Sequence, residues 1–127
     1  MKIYHGTSKY NWENKYADNS TLFLTSNQED AANYAYEAAA DNEYSKLRPL
    51  PIIVSIDIEN LLDKDLEFDP DDSCVRSVSD GGPKEPLNVK SLSWEDSIRY
   101  CGSFSIFGNI EALKPLFKIE KIGIKKS

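Results

Sequence analysis

The one histidine of the chain, His5, closes a short β-like run, Lys2-Ile3-Tyr4-His5, and is followed at once by Gly6-Thr7-Ser8. An imidazole at a strand end can offer a ring nitrogen to a ligand, and an adjoining glycine lets the backbone approach that ligand closely. Thr7 adds a hydroxyl. The same residues suit a buried histidine satisfied by a neighbouring carbonyl, and the triplet alone does not separate the two readings. Other groups carry weaker signals. Asp57 to Asp72 holds eight acids against one lysine, but it lacks the D-x-[DN]-x-[DN]-G spacing of a calcium loop and reads as a solvated acidic face. Ser73, Ser77 and Ser79 have no histidine nearby in sequence with which to build a triad. Gly81-Gly82-Pro83 marks a turn, not a phosphate-binding loop. Cys74 and Cys101 make neither a disulfide framework nor a zinc-ligand cluster, and read as two reduced residues. Trp12 and Trp94 could line a pocket but suit core or rim equally.

The elements that must position these residues read as a mixed α+β chain. Thr21-Leu22-Phe23-Leu24-Thr25 has strand composition. Ser26 or Asn27 can cap a helix running to Ala40, with Glu29 and Asp30 at its positive end. Pro51 to Ile58 is the strongest strand, and Lys9 to Ser20 and Ser73 to Lys84 read as loops. Pro86 to Leu92, Ser103 to Phe107 and Phe117 to Ile124 are further strands, with a short Ser93-capped helix over Trp94 to Tyr100. Strands separated by long loops predict packed, mostly antiparallel sheets with few helices.

Composition bounds the function classes. A chain of 127 residues with 40% hydrophobic residues suits one domain spanning residues 1–127. No apolar run approaches the roughly 20 residues of a membrane span, and the polar start is unlike a signal peptide, so the expected address is cytoplasmic. The net charge of −6 argues against a broad basic face for nucleic acid. Lys114, Lys118, Lys121, Lys125 and Lys126 make a basic end that lacks interleaved stacking aromatics.

Tyr4-His5-Gly6-Thr7, Leu22-Phe23-Leu24-Thr25 and Asp30-Ala31-Ala32-Asn33-Tyr34-Ala35 together resemble the opening of ADP-ribosyltransferases of the diphtheria toxin and poly(ADP-ribose) polymerase class. That class carries H-G-[ST] on its first strand, an aromatic on a following strand and a tyrosine on the next helix. Phe68-Asp69-Pro70-Asp71 and Glu85-Pro86-Leu87 extend the resemblance toward the rifamycin ADP-ribosyltransferases. The resemblance implies a small ADP-ribosyltransferase-like fold of two packed, mostly antiparallel sheets with NAD in the cleft between them. It implies that Phe23 and Tyr34 clasp the nicotinamide, the Gly6 backbone binds its carboxamide, Thr7 lends its hydroxyl, and His5 bonds the adenosine-side ribose. Asp69 would be the acid that steadies the positive charge growing on the departing ribose.

Two residues depart from the family pattern. Phe23 replaces the usual first tyrosine, keeping the ring and losing the hydroxyl. The acid that opens a late strand in the toxin-like members falls on Ser103, so Asp69 supplies the charge or the chain has lost turnover. The implied activity is mono-ADP-ribosyl transfer from NAD, without a metal, by a small bacterial or phage effector acting in the cytoplasm of its own or a host cell. The acceptor is a host protein in the favoured reading, with a small molecule or nucleic acid as alternatives. A catalytically degenerate protein that binds NAD or a partner is the rival. Residues Lys9 to Ser20 and Ser73 to Lys84 are the expected acceptor readers.

Overall fold

The computed structural model describes residues 1–16, 20–41, 50–71 and 93–122. Its six strands are β1 (Lys2–Ser8), β2 (Ser20–Thr25), β3 (Pro51–Asp57), β4 (Glu67–Pro70), β5 (Ser103–Gly108) and β6 (Lys118–Ile122). The helices are α1 (Lys9–Asn14), α2 (Gln28–Asp41), α3 (Glu59–Leu62), α4 (Trp94–Cys101) and α5 (Ile110–Leu113), the last running into a 3₁₀ turn at Lys114–Leu116. The strands form one antiparallel sheet in the order β4-β5-β2-β1-β3-β6. Among the described residues, a single sheet therefore stands in place of the expected packed pair. It is weakest in the middle, because β1 and β2 pair only at Tyr4 and Thr25.

Period-two alternation sorts the sheet into two faces. On one face Ile3, Leu22, Leu24, Ile52, Val54, Ile56, Phe104 and Ile106 build the core, sealed by Trp12 of α1, Leu61 of α3, and Ile110 and Leu113 of α5. Trp94 opens α4 and packs on Phe104 and Phe68, with ring centroids at 5.1 and 4.9 Å. Trp12 meets Phe117 edge-on at 5.3 Å. Both tryptophans therefore serve packing.

Among the described residues, the other face is covered on only one side. Helix α2 lies over β1 and β3, with Ala31, Ala35 and Ala39 as its buried stripe. The alanines do more than favour helix: their small side chains let the α2 backbone press on the sheet. A Cβ built on Gly6 would stand 1.7 Å from the Ala31 carbonyl oxygen. Asn27 starts this helix as expected, its Oδ1 accepting from the Glu29 and Asp30 amides at 2.8 and 3.3 Å.

Three local expectations change. β1 does not stop at His5, since Gly6 and Thr7 pair onward with Ile53 and Ile52, so His5 is mid-strand. The polar stretch after it contains α1, capped by Ser8 Oγ, which accepts from the Asn11 amide at 3.0 Å. Cys101 is disulfide-bonded to a partner outside the described residues, not reduced. Thiol titration of the denatured, unreduced chain is expected to find no free thiol, and two free thiols per chain would contradict this bond. The expected strand Pro86 to Leu92 and loop Ser73 to Lys84 lie outside the described residues.

Candidate functional site

Where α2 stops, no element among the described residues covers the sheet face over β2, β5 and β4. Register aligns Phe23, Ser105 and Asp69 across these three strands, and Thr21, Phe107 and Glu67 one pleat further on. With Pro70, these residues line a hollow of about 610 Å³. Phe23 is 59% exposed, although the neighbouring β2 residues Leu22 and Leu24 are buried. A ring so placed contributes little to the core and is free to stack on a flat ligand. Two carboxylates, Glu67 and Asp69, share the hollow with the rings of Phe23 and Phe107, an environment that favours a flat or cationic group.

A second feature adjoins this floor at the start of β5. Gly102 ends α4 with φ +78°, and its carbonyl accepts from the Ser26 amide at 2.8 Å and the Thr25 hydroxyl at 2.9 Å. This locks the end of β2 to the start of β5 and fixes Ser103. Ser103 Oγ donates to Asp71 Oδ2 at 2.8 Å. The Asp71 amide donates to Ser97 Oγ at 2.9 Å, and Ser97 Oγ donates to the Ser103 carbonyl at 2.6 Å. Ser97 is fully buried on α4, so Asp71 is held at both backbone and carboxylate. Tyr34 is 52% exposed on α2. Its phenol is pushed above the usual tyrosine value, first by partial burial and then by the negative charges of Asp71, Asp30 and Glu37.

His5 lies on the core face. Its Nδ1 is 2.7 Å from the Phe23 carbonyl, and its Nε2 is 2.6 Å from the Tyr16 hydroxyl. A carbonyl can only accept, so Nδ1 carries the proton and Tyr16 donates to Nε2. Tyr16 Oη is also hydrogen-bonded to Thr7 Oγ1 at 3.1 Å. The imidazole is 7% exposed, with the Trp12 and Tyr16 rings at 6.1 and 5.4 Å. Burial drives its pKa down to about 4, against the opposing pull of the Phe23 carbonyl. The ring is therefore neutral at pH 7.

These placements divide the sequence candidates into two groups. Phe23 and Asp69 share the open hollow, whereas Tyr34 lines a separate hollow with Asp30, Asn33 and Glu37 and feels the Asp71 charge. His5, Gly6 and Thr7 are internal: the histidine has both nitrogens bonded within the protein, Gly6 faces the α2 backbone, and Thr7 is 2% exposed. His5 still bears on the site, because it holds the main chain of the residue whose ring faces the hollow. Sequence reasoning missed Asp71, Ser97 and Tyr16. The one signal for Asp71 was its position two residues beyond Asp69, on the same strand-end run. No group of three potential metal ligands converges among the described residues. No helix among them is long and apolar enough to cross a membrane. No family model matches the chain, and no curated protein or solved structure is significantly similar to it.

Proposed function

We propose that the chain is a mono-ADP-ribosyltransferase that binds NAD over the open face of β2, β5 and β4. The observation that carries this reading is the exposed ring of Phe23, which shares the hollow with Asp69; Tyr34, exposed on α2, feels the charge of Asp71. The nicotinamide would stack on these rings, each contact worth about 1 kcal/mol beyond area burial. A carboxylate from the end of β4, Asp69 or Asp71, would face the ribose from which nicotinamide departs. His5 acts here as a positioning residue, setting Phe23 through its carbonyl.

The acceptor in this reading is a host protein, because a net charge of −6 repels nucleic acid. The chain would act in the cytoplasm of the producing or a host cell, as a small bacterial or phage effector. The Cys101 disulfide favours passage through an oxidising compartment before that step.

A thermal shift series with NAD tests the reading. NAD at 100 times its dissociation constant is expected to add about 2.7 kcal/mol of stability. Phe23→Ala and Tyr34→Ala should each weaken binding about fivefold, the equivalent of one lost stacking contact. No shift at millimolar NAD overturns the proposal. A second reading, NAD binding without turnover, is favoured by the internal bonding of both His5 nitrogens. Binding without release of nicotinamide would select it.

A further inference from the structure

We infer that Asp71, oriented by Ser103, is the carboxylate that faces the nicotinamide ribose, so that the acidic position is shared between two strands. The inference rests on the NAD reading above and decides between the two carboxylates that reading leaves open. Ser103 stands at the first residue of β5 and cannot itself bear a negative charge at neutral pH. Its hydroxyl instead donates to a carboxylate from the residue that follows β4, with Asp71 Oδ2 at 2.8 Å. The carboxylate thereby reaches the point that an acidic side chain on β5 would occupy.

The surrounding bonds make this placement firm. Ser97, fully buried, accepts from the Asp71 amide and donates to the Ser103 carbonyl, tying both residues to α4. The Gly102 turn clamps the same point to the end of β2. Such pre-set charge stabilises a transition state without reorganising when the charge develops. Asp69 is arranged differently. Its register partner is Ser105, it is exposed, and it opens into the hollow that Phe23, Phe107 and Glu67 line and that neither Asp71 nor Tyr34 lines. Asp71, and not Asp69, is among the carboxylates acting on the Tyr34 phenol.

The step balances without a further reagent. The bond between nicotinamide N1 and ribose C1′ breaks, and its electron pair leaves with neutral nicotinamide. Positive charge spreads over C1′ and the ring oxygen, opposite the Asp71 carboxylate. The acceptor's lone pair then forms the new bond to C1′, and its proton passes to solvent. With water as acceptor, the products are ADP-ribose, nicotinamide and a proton.

Nicotinamide release from NAD by the full chain and its variants tests the assignment. Asp71→Asn is expected to lower kcat at least 100-fold with KM within threefold of the parent. Ser103→Ala should lower kcat about tenfold with KM unchanged, and Ser103→Thr, which keeps the donor, should restore it. A purely structural role for Ser103 would change KM and stability instead. Asp69→Asn should lose less than tenfold. Placing Ser103→Glu in the Asp71→Asn background returns a carboxylate to β5 itself and should recover at least tenfold over Asp71→Asn. That recovery also shows that the single variant is folded. Activity of Asp71→Asn within threefold of the parent, or a larger loss in Asp69→Asn, overturns the assignment while the NAD reading stands. A parent chain that releases no nicotinamide overturns the assignment together with the transferase reading.

Discussion

Gly6→Ala is expected to destabilise the fold by about 3 kcal/mol or more, at the upper end of what overpacking costs. The new methyl group would stand 1.7 Å from the Ala31 carbonyl oxygen and 2.6 Å from its carbonyl carbon. Both are helix backbone, so no side-chain rotation relieves the clash, and α2 must move off the sheet. Moving it uncovers Ile53 and the alanine stripe. For a chain of this length, the melting temperature should fall by roughly 10 °C or more. A fall of less than about 3 °C, the shift expected for only ~1 kcal/mol, would mean that α2 does not sit where Gly6 admits it. Because Tyr34 rides on α2, a surviving variant should also bind NAD more weakly.

His5→Ala is expected to cost about 3 kcal/mol in chemical denaturation. The substitution empties a ring-sized space beside Trp12 and Tyr16 and leaves the Phe23 carbonyl and Tyr16 hydroxyl without this partner. The pH dependence gives an independent signature. An unfolded histidine titrates near pH 6.5, whereas folded His5 is held neutral down to about pH 4. Above pH 6.5 the ring is neutral in both states, and its contribution is flat. As pH falls from about 6.5 to about 4, the unfolded chain takes up a proton that the folded chain refuses, so stability declines by about 3 kcal/mol. This share of the slope should vanish in His5→Ala, since the chain has one histidine. Equal slopes between about pH 6.5 and 5 in parent and variant would show that His5 is hydrated in the folded state.

Composition was a good guide where local chemistry alone decides structure. The β-branched run of β3 and the composition of Thr21 to Thr25 read directly as strands, Ser26 or Asn27 as the cap of α2, which proves to be Asn27, and Ser93 as the cap of α4. Gly6 misled because glycine ordinarily interrupts a strand. Here it keeps its pairing with Ile53 and serves the helix above. α1 gave no periodic signal, since Lys9–Asn14 buries one residue, Trp12. The single sheet depends on one long-range pairing, Tyr4 with Thr25, which no local pattern encodes.

The site divides along the same line. Phe23 and Tyr34 were singled out only through the resemblance to ADP-ribosyltransferases, and both rings are exposed. The placement of Asp71 was not legible, because it arises from Ser97 and Ser103, 26 and 32 residues away in sequence. The histidine was legible as important, but its task follows from the carbonyl and hydroxyl that three-dimensional folding brings to its two nitrogens.

Cleavage of NAD on the open face beside Tyr34 is tested most directly by incubating the full chain with NAD and a host protein fraction, and following free nicotinamide by chromatography. Nicotinamide should appear in proportion to protein, and its release should be lost when Phe23 and Tyr34 are both replaced by alanine. NAD recovered intact after hours with the parent chain would contradict the assignment.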